Sequence, residues 1–135
     1  MPDLSTFSAE LLLLLGSLVL HALYLGTQAI LYRLQYGVMF AATARDEEAP
    51  PGVLLARAER ALRNFLETWP GFIALVVIIE LSGRNDALTF WGAQIWFWCR
   101  LLYLPLYLSG VFMLRSLVWF ASACGLFLMF LGIVF

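Results

Sequence analysis

The chain has 135 residues, 63% of them hydrophobic and 13% charged, with a mean hydropathy of +0.90, against roughly half apolar and about a quarter charged in a soluble domain. Such an excess excludes a soluble globular core of this length. The net charge of −1, with every cation an arginine scattered among apolar segments, excludes a nucleic-acid-binding surface. At about 20 apolar residues per crossing, the length holds roughly four spans and no extramembrane domain.

The first span runs from about Ser8 to Phe40. Its apolar stretch is followed by Ala42-Thr43-Ala44, the small-x-small form of a cleavage site. However, Asp3 and Glu10 stand where a signal peptide carries cations, and Leu11 to Tyr32 exceeds the ~7–15 residues of a secretory core, so a retained span is expected. The polar, Pro-containing loop 41–52 cannot stay helical and is expected in water. A second span covers about Val53 to Leu81, and Ser82 to Asp86 supplies a turn and an N-cap. The third covers about Ala87 to Leu108. After a tight Ser109-Gly110 break the fourth runs from about Phe112 to Phe135, antiparallel to the third. The fold class is therefore an all-α integral membrane protein, a single four-helix bundle in up-down-up-down order. Arg45, Arg57, Arg60, Arg63 and Arg115 fall at one end and Arg84 at the other, which predicts a cytosolic loop 41–52 and both termini extracytosolic. Cys99 and Cys124 lie in apolar runs without metal-ligand spacing and read as packing residues, so no metal is expected.

An ionisable group inside a bilayer costs at least a few kcal/mol and normally faces protein or a wet cavity. In span two, Arg57, Arg60, Arg63, Asn64, Glu67 and Thr68 fall within an arc of roughly 140° at ~100° per residue, one polar stripe on an apolar helix. In span three, Arg100, Tyr103 and Tyr107 share a face. At ~1.5 Å per residue Glu67 and Arg100 both lie about 15 Å from the cytosolic ends of their helices, which predicts a buried structural ion pair. Tyr103 matches Arg63 and Asn64 in depth, while Tyr107 and Arg115 fall near the cytosolic mouth. One pocket with the chemistry to bind anions follows, since arginine forks grip carboxylates and thiolates. Arg57 also reads as a residue that snorkels to headgroups, and Tyr107 as an interfacial aromatic. His21, Gln28 and Gln94 read as interhelical hydrogen-bonding groups, and Glu80 as reaching water.

The run Arg60-Ala61-Leu62-Arg63-Asn64-Phe65-Leu66-Glu67-Thr68-Trp69-Pro70 resembles the second-span signature of the MAPEG family, the membrane-associated proteins of eicosanoid and glutathione metabolism. The run from Arg100 through Tyr103 to Tyr107 is similar to its third-span signature, and Arg115-Ser116 stands near the start of span four, where the family keeps an arginine beside the glutathione sulfur. The resemblance extends to the family's prostaglandin E synthase and microsomal glutathione transferase branches. It implies a homotrimer with glutathione, the co-substrate, bound between subunits and reached from the cytosol. It also implies glutathione contacts from Arg60, Arg63, Asn64, Glu67, Tyr103, Tyr107 and Ser116, with Arg115 as the catalytic group, and a loosely aligned further arginine at Arg33. Tyr103 is a histidine in the prostaglandin E synthases, so the resemblance carries over the glutathione site and not one particular electrophile.

The expected function is that of a glutathione-dependent transferase or peroxidase acting on lipophilic electrophiles drawn from membrane lipid. The alternative is a non-catalytic trimer or lipid-binding adaptor of the same fold. A small cation exporter built around Glu67 is disfavoured by the surplus of arginines around it.

Overall fold

Local signals start and stop each helix. A computed structural model describes residues 4–135. A short 3-10 turn, Leu4–Thr6, leads to Ser8, whose hydroxyl accepts from the Leu11 N–H at 3.0 Å and caps α1 (Ala9–Tyr36). Span one, expected to run unbroken to Phe40, is interrupted at Gly37, where φ 89° and ψ 156° cannot continue a helix; a single further turn, α2 (Val38–Ala41), follows. The next helix, α3 (Val53–Ser82), passes through Pro70 without ending. In α4 (Ala87–Ser109) a capping box closes the first turn. The Asp86 carboxylate accepts from the Thr89 N–H at 2.8 Å, and the Thr89 hydroxyl accepts from the Asp86 N–H at 2.9 Å. Gly110, left-handed at φ 79°, ends α4, and α5 (Phe112–Val134) begins two residues on.

Side-chain register makes successive long helices antiparallel. Between α1 and α3 the pairs run from Ser8 with Glu80, through Ser17 with Trp69 Nε1 at 2.9 Å, to Gln35 with the Gly52 N–H at 2.8 Å. Between α3 and α4 they run from Arg57 with Leu108 to Phe72 with Trp96, whose rings stack at 3.9 Å and 8°. The α4–α5 hairpin is the closest crossing. A Cβ added at Gly92 would lie 2.6 Å from the Gly125 carbonyl, so only glycine lets these two backbones touch.

Four crossings were expected, and the outcome differs in one respect. α1, α3 and α5 are long and apolar enough to span a membrane. α4 equals α5 in length, 23 residues, but does not join them. Gln94, Arg100, Tyr103 and Tyr107 dilute its apolar content, and the bundle shelters the deepest of them. α4 packs on α1, α3 and α5 and buries Thr89, Gly92, Ala93, Trp96, Arg100 and Tyr103 along one face. The opposite surfaces of the other helices expose Leu18, Val19, Ile30, Leu34, Ile78, Phe120 and Phe127, as lipid contact requires.

The core is an aromatic stack. His21 lies on Trp69 at 4.6 Å, Tyr24 on Phe65 at 4.6 Å, and Phe65 reaches Trp96 at 6.0 Å. The Tyr24 hydroxyl donates to the Arg100 carbonyl at 2.7 Å. At the end of the bundle opposite loop 42–52, the buried Glu10 carboxylate accepts from the Thr89 hydroxyl at 2.6 Å, tying α1 to the first turn of α4. The exposed loop 42–52 is itself tied down: Tyr32 donates to Glu48 at 2.5 Å, and the Arg45 guanidinium lies 4.4 Å from the centre of the Tyr32 ring.

Candidate functional site

Near the α4–α5 turn, α3, α4 and α5 enclose a cavity of about 230 Å³ lined by Asn64, Tyr103, Tyr107, Arg115, Ser116 and Trp119. Helical spacing explains the set. Tyr103 and Tyr107 are one turn apart on α4, and Arg115, Ser116 and Trp119 share one face of the first turns of α5. The two tyrosine rings meet edge to face at 5.4 Å. Arg115 lies over the Tyr107 ring at 4.5 Å and near the Phe112 ring at 5.7 Å. Among the described residues its guanidinium has no carboxylate or carbonyl partner, so its donors are open to an anion in the cavity.

Behind this wall lies Arg100, fully buried. Its NH1 donates to Asn64 Oδ1 at 2.7 Å, and its guanidinium lies 5.3 Å from the centre of the Tyr103 ring. Among the described residues, Nε and NH2 have no hydrogen-bond partner. Arg100 thus holds two of the lining residues, Asn64 and Tyr103, without lining the cavity itself.

Five sequence-predicted site residues therefore meet: Asn64, Tyr103, Tyr107, Arg115 and Ser116. Arg60, Arg63 and Glu67 do not join them among the described residues; all three are exposed on the outer side of α3. Arg63 instead borders a second cleft with Gln28, Glu59, Leu62 and Leu66. The expected Glu67–Arg100 ion pair does not form among the described residues, and Asn64 takes the partner position. Both coordinates of the helix explain this. Glu67 lies about 21 Å along α3 from Val53, Asn64 about 17 Å, and Arg100 about 14 Å from the end of α4, so Asn64 is the nearer match in depth. Three residues of helix also rotate Glu67 about 60° away from the α4-facing side. The stripe read from the sequence is thus split lengthwise: Arg57, Asn64 and Thr68 turn towards the bundle, and Arg60, Arg63 and Glu67 turn away. Sequence reasoning missed Trp119. Its signal was the i, i+3 and i+4 spacing from Ser116 and Arg115, hidden because Trp is ordinary on a membrane helix.

The arrangement is that of a helical protein with apolar spans and, near one end of its bundle, a cavity whose arginine, tyrosine and serine donors have the chemistry to receive a small anion. Compared with known families, residues 11–135 match the MAPEG family, nearly the whole chain. The chain belongs to the MAPEG family, and so to a group of membrane proteins of glutathione and eicosanoid metabolism. Comparison with curated proteins and with solved structures gave no match.

Proposed function

We propose that this protein is a glutathione-dependent transferase or peroxidase for lipophilic electrophiles, working as a homotrimer with glutathione bound between subunits. The observation that carries the reading is the unpaired Arg115 guanidinium facing the cavity beside Tyr107, Ser116 and Asn64. A cysteine thiol has a pKa near 8.5, and a fixed cation beside it raises the thiolate fraction at neutral pH. The sulfur would lose its proton to water, attack the electrophilic carbon, and expel the leaving group. Tyr103 and Tyr107 would orient the tripeptide or donate to a developing oxyanion.

The remaining charges support the subunit arrangement. A cavity of about 230 Å³ is below the roughly 300–1,000 Å³ of small-molecule sites, so a tripeptide must extend beyond it. Glu67 is exposed at the middle of α3, with Arg63 and Arg60 exposed one and two turns nearer its start, and a charge facing lipid at the centre of a spanning helix costs roughly 2.5–3.5 kcal/mol. A second copy of the chain packed over α3 would cover them and place them along the same ligand. The excess of arginines at the end of the bundle that carries loop 42–52 supports a cytosolic site with both termini on the opposite side. A cysteine substituted at Glu47 is then expected to resist impermeant maleimide added outside intact cells; labelling from outside would reverse the orientation.

Purified protein in detergent tests the activity. Glutathione is expected to bind by calorimetry and to react faster with a model aryl halide in the protein's presence. Absence of binding would refute the reading. Binding without acceleration of conjugation or of hydroperoxide reduction would favour the non-catalytic adaptor.

A further inference from the structure

Arg57 occupies a position that the cavity's lining does not explain. It sits two turns before Asn64 on the same side of α3 and is half-buried. Its NH1 donates to the Leu108 carbonyl of α4 at 2.9 Å. That carbonyl is one of the last four of α4, which have no partner within the helix and carry its negative dipole end. The guanidinium also lies flat on the turn: a Cβ at Gly110 would meet NH2 at 2.6 Å and Cζ and NH1 at 2.8 Å. Gly110 is required by the left-handed turn at φ 79°, and its bare Cα leaves room for the Arg57 guanidinium beside it. The gripped segment, Leu108 to Gly110, joins Tyr107 at the end of α4 to the first turn of α5, which carries Arg115.

We propose that Arg57 is a positioning residue for the cavity: by bonding Leu108 and covering Gly110 it fixes the α4–α5 turn, and with it the stacking of Arg115 on Tyr107. The cavity is then braced at both ends by arginines that do not line it, Arg100 on Asn64 at depth and Arg57 on the turn at the mouth. A side chain that only snorkelled to headgroups would leave the turn free, because α4 ends on a left-handed glycine and the N-cap of α5, Val111, offers no side-chain cap. The consequence for a bound thiol rests on the glutathione reading above, whereas the bracing of the turn does not.

Two readouts separate these. In detergent without ligand, amide hydrogen exchange over residues 108–115 is expected to be about tenfold faster in Arg57→Ala than in the parent, with the Glu10–Thr89 end unchanged. Arg57→Lys, which keeps the charge but not the planar fork, is expected to recover part of the protection; it also serves if Arg57→Ala fails to fold. With saturating glutathione, the thiolate absorbance at pH 7 is expected to fall about threefold or more in Arg57→Ala, while glutathione affinity changes less than that. Unchanged exchange over 108–115 would overturn the proposal whatever glutathione does. Faster exchange with an unchanged thiolate fraction would show that the turn does not set the site, and would overturn it too. If the parent protein binds no glutathione, the functional reading falls, and the exchange comparison still decides whether Arg57 braces the turn.

Discussion

Arg115→Ala is expected to lower the rate of glutathione conjugation at pH 7 by about 100-fold, the usual size of effect when one preorganised charge stabiliser is removed from a reacting centre. The loss should be strongly pH-dependent. On the proposed reading the guanidinium holds the bound thiol below its free value; without it the pKa should return towards about 8.5, leaving only a few per cent thiolate at pH 7. The deficit should therefore shrink as the pH rises through about 9, because the substrate then ionises unaided. Glutathione should remain bound, held by groups other than Arg115. Ultraviolet absorbance of the thiolate against pH, at saturating glutathione, measures this directly. An unchanged thiol pKa with glutathione still bound would remove Arg115 from the chemistry and leave it as a stacking partner of Tyr107.

Gly92→Val is expected to destabilise the folded chain by about 3 kcal/mol or more, at or beyond the upper end of ordinary overpacking. The first added atom meets backbone and not the tip of a flexible side chain: the Gly125 carbonyl at 2.6 Å, Met129 Cγ at 2.7 Å and the Met129 N–H nitrogen at 2.8 Å. Gly125 is in the same position, with the Gly92 carbonyl at 2.7 Å and the Trp96 nitrogen at 2.9 Å. Neither helix can yield without the hairpin opening, and α5 carries Arg115, Ser116 and Trp119, so stability and the cavity should be lost together. Thermal unfolding in detergent checks this against Gly26→Ala. A Cβ added at Gly26 would meet no described atom within 4 Å beyond its own helix, so an alanine there should be neutral, or stabilising by about 0.5–1 kcal/mol through reduced chain entropy. Equal melting temperatures for Gly92→Val and the parent would mean that α4 and α5 do not cross where these glycines meet.

Much of the architecture was legible in the chain, for reasons seen at particular residues. Ser8, the Pro50-Pro51 pair, Asp86 and Gly110 are local punctuation, whose preferences act within four or five residues and need no partner. The long helices therefore fall within a few residues of the expected bounds, and the family signature in α3 and α4 was readable as a linear string. Gly37 escaped because a glycine inside an apolar run is compatible with a continuous helix. Nothing local says that its φ is positive.

What the sequence by itself determined is the presence of membrane-crossing helices, the polar stripe on α3, and the residue types Arg, Tyr, Asn and Ser that can receive an anion. What only the tertiary structure decided is which part of that stripe faces α4, that Arg100 bonds Asn64 and not Glu67, that Trp119 completes the cavity, and that Arg57 grips the turn beyond Leu108. The physical reason is that composition and periodicity fix a side chain's height and bearing on its own helix to within about a turn. Partner choice needs the rotation of one helix against another to much finer than that, and this rotation is set by packing at places such as Gly92 on Gly125 and Phe72 on Trp96, far from the site in sequence.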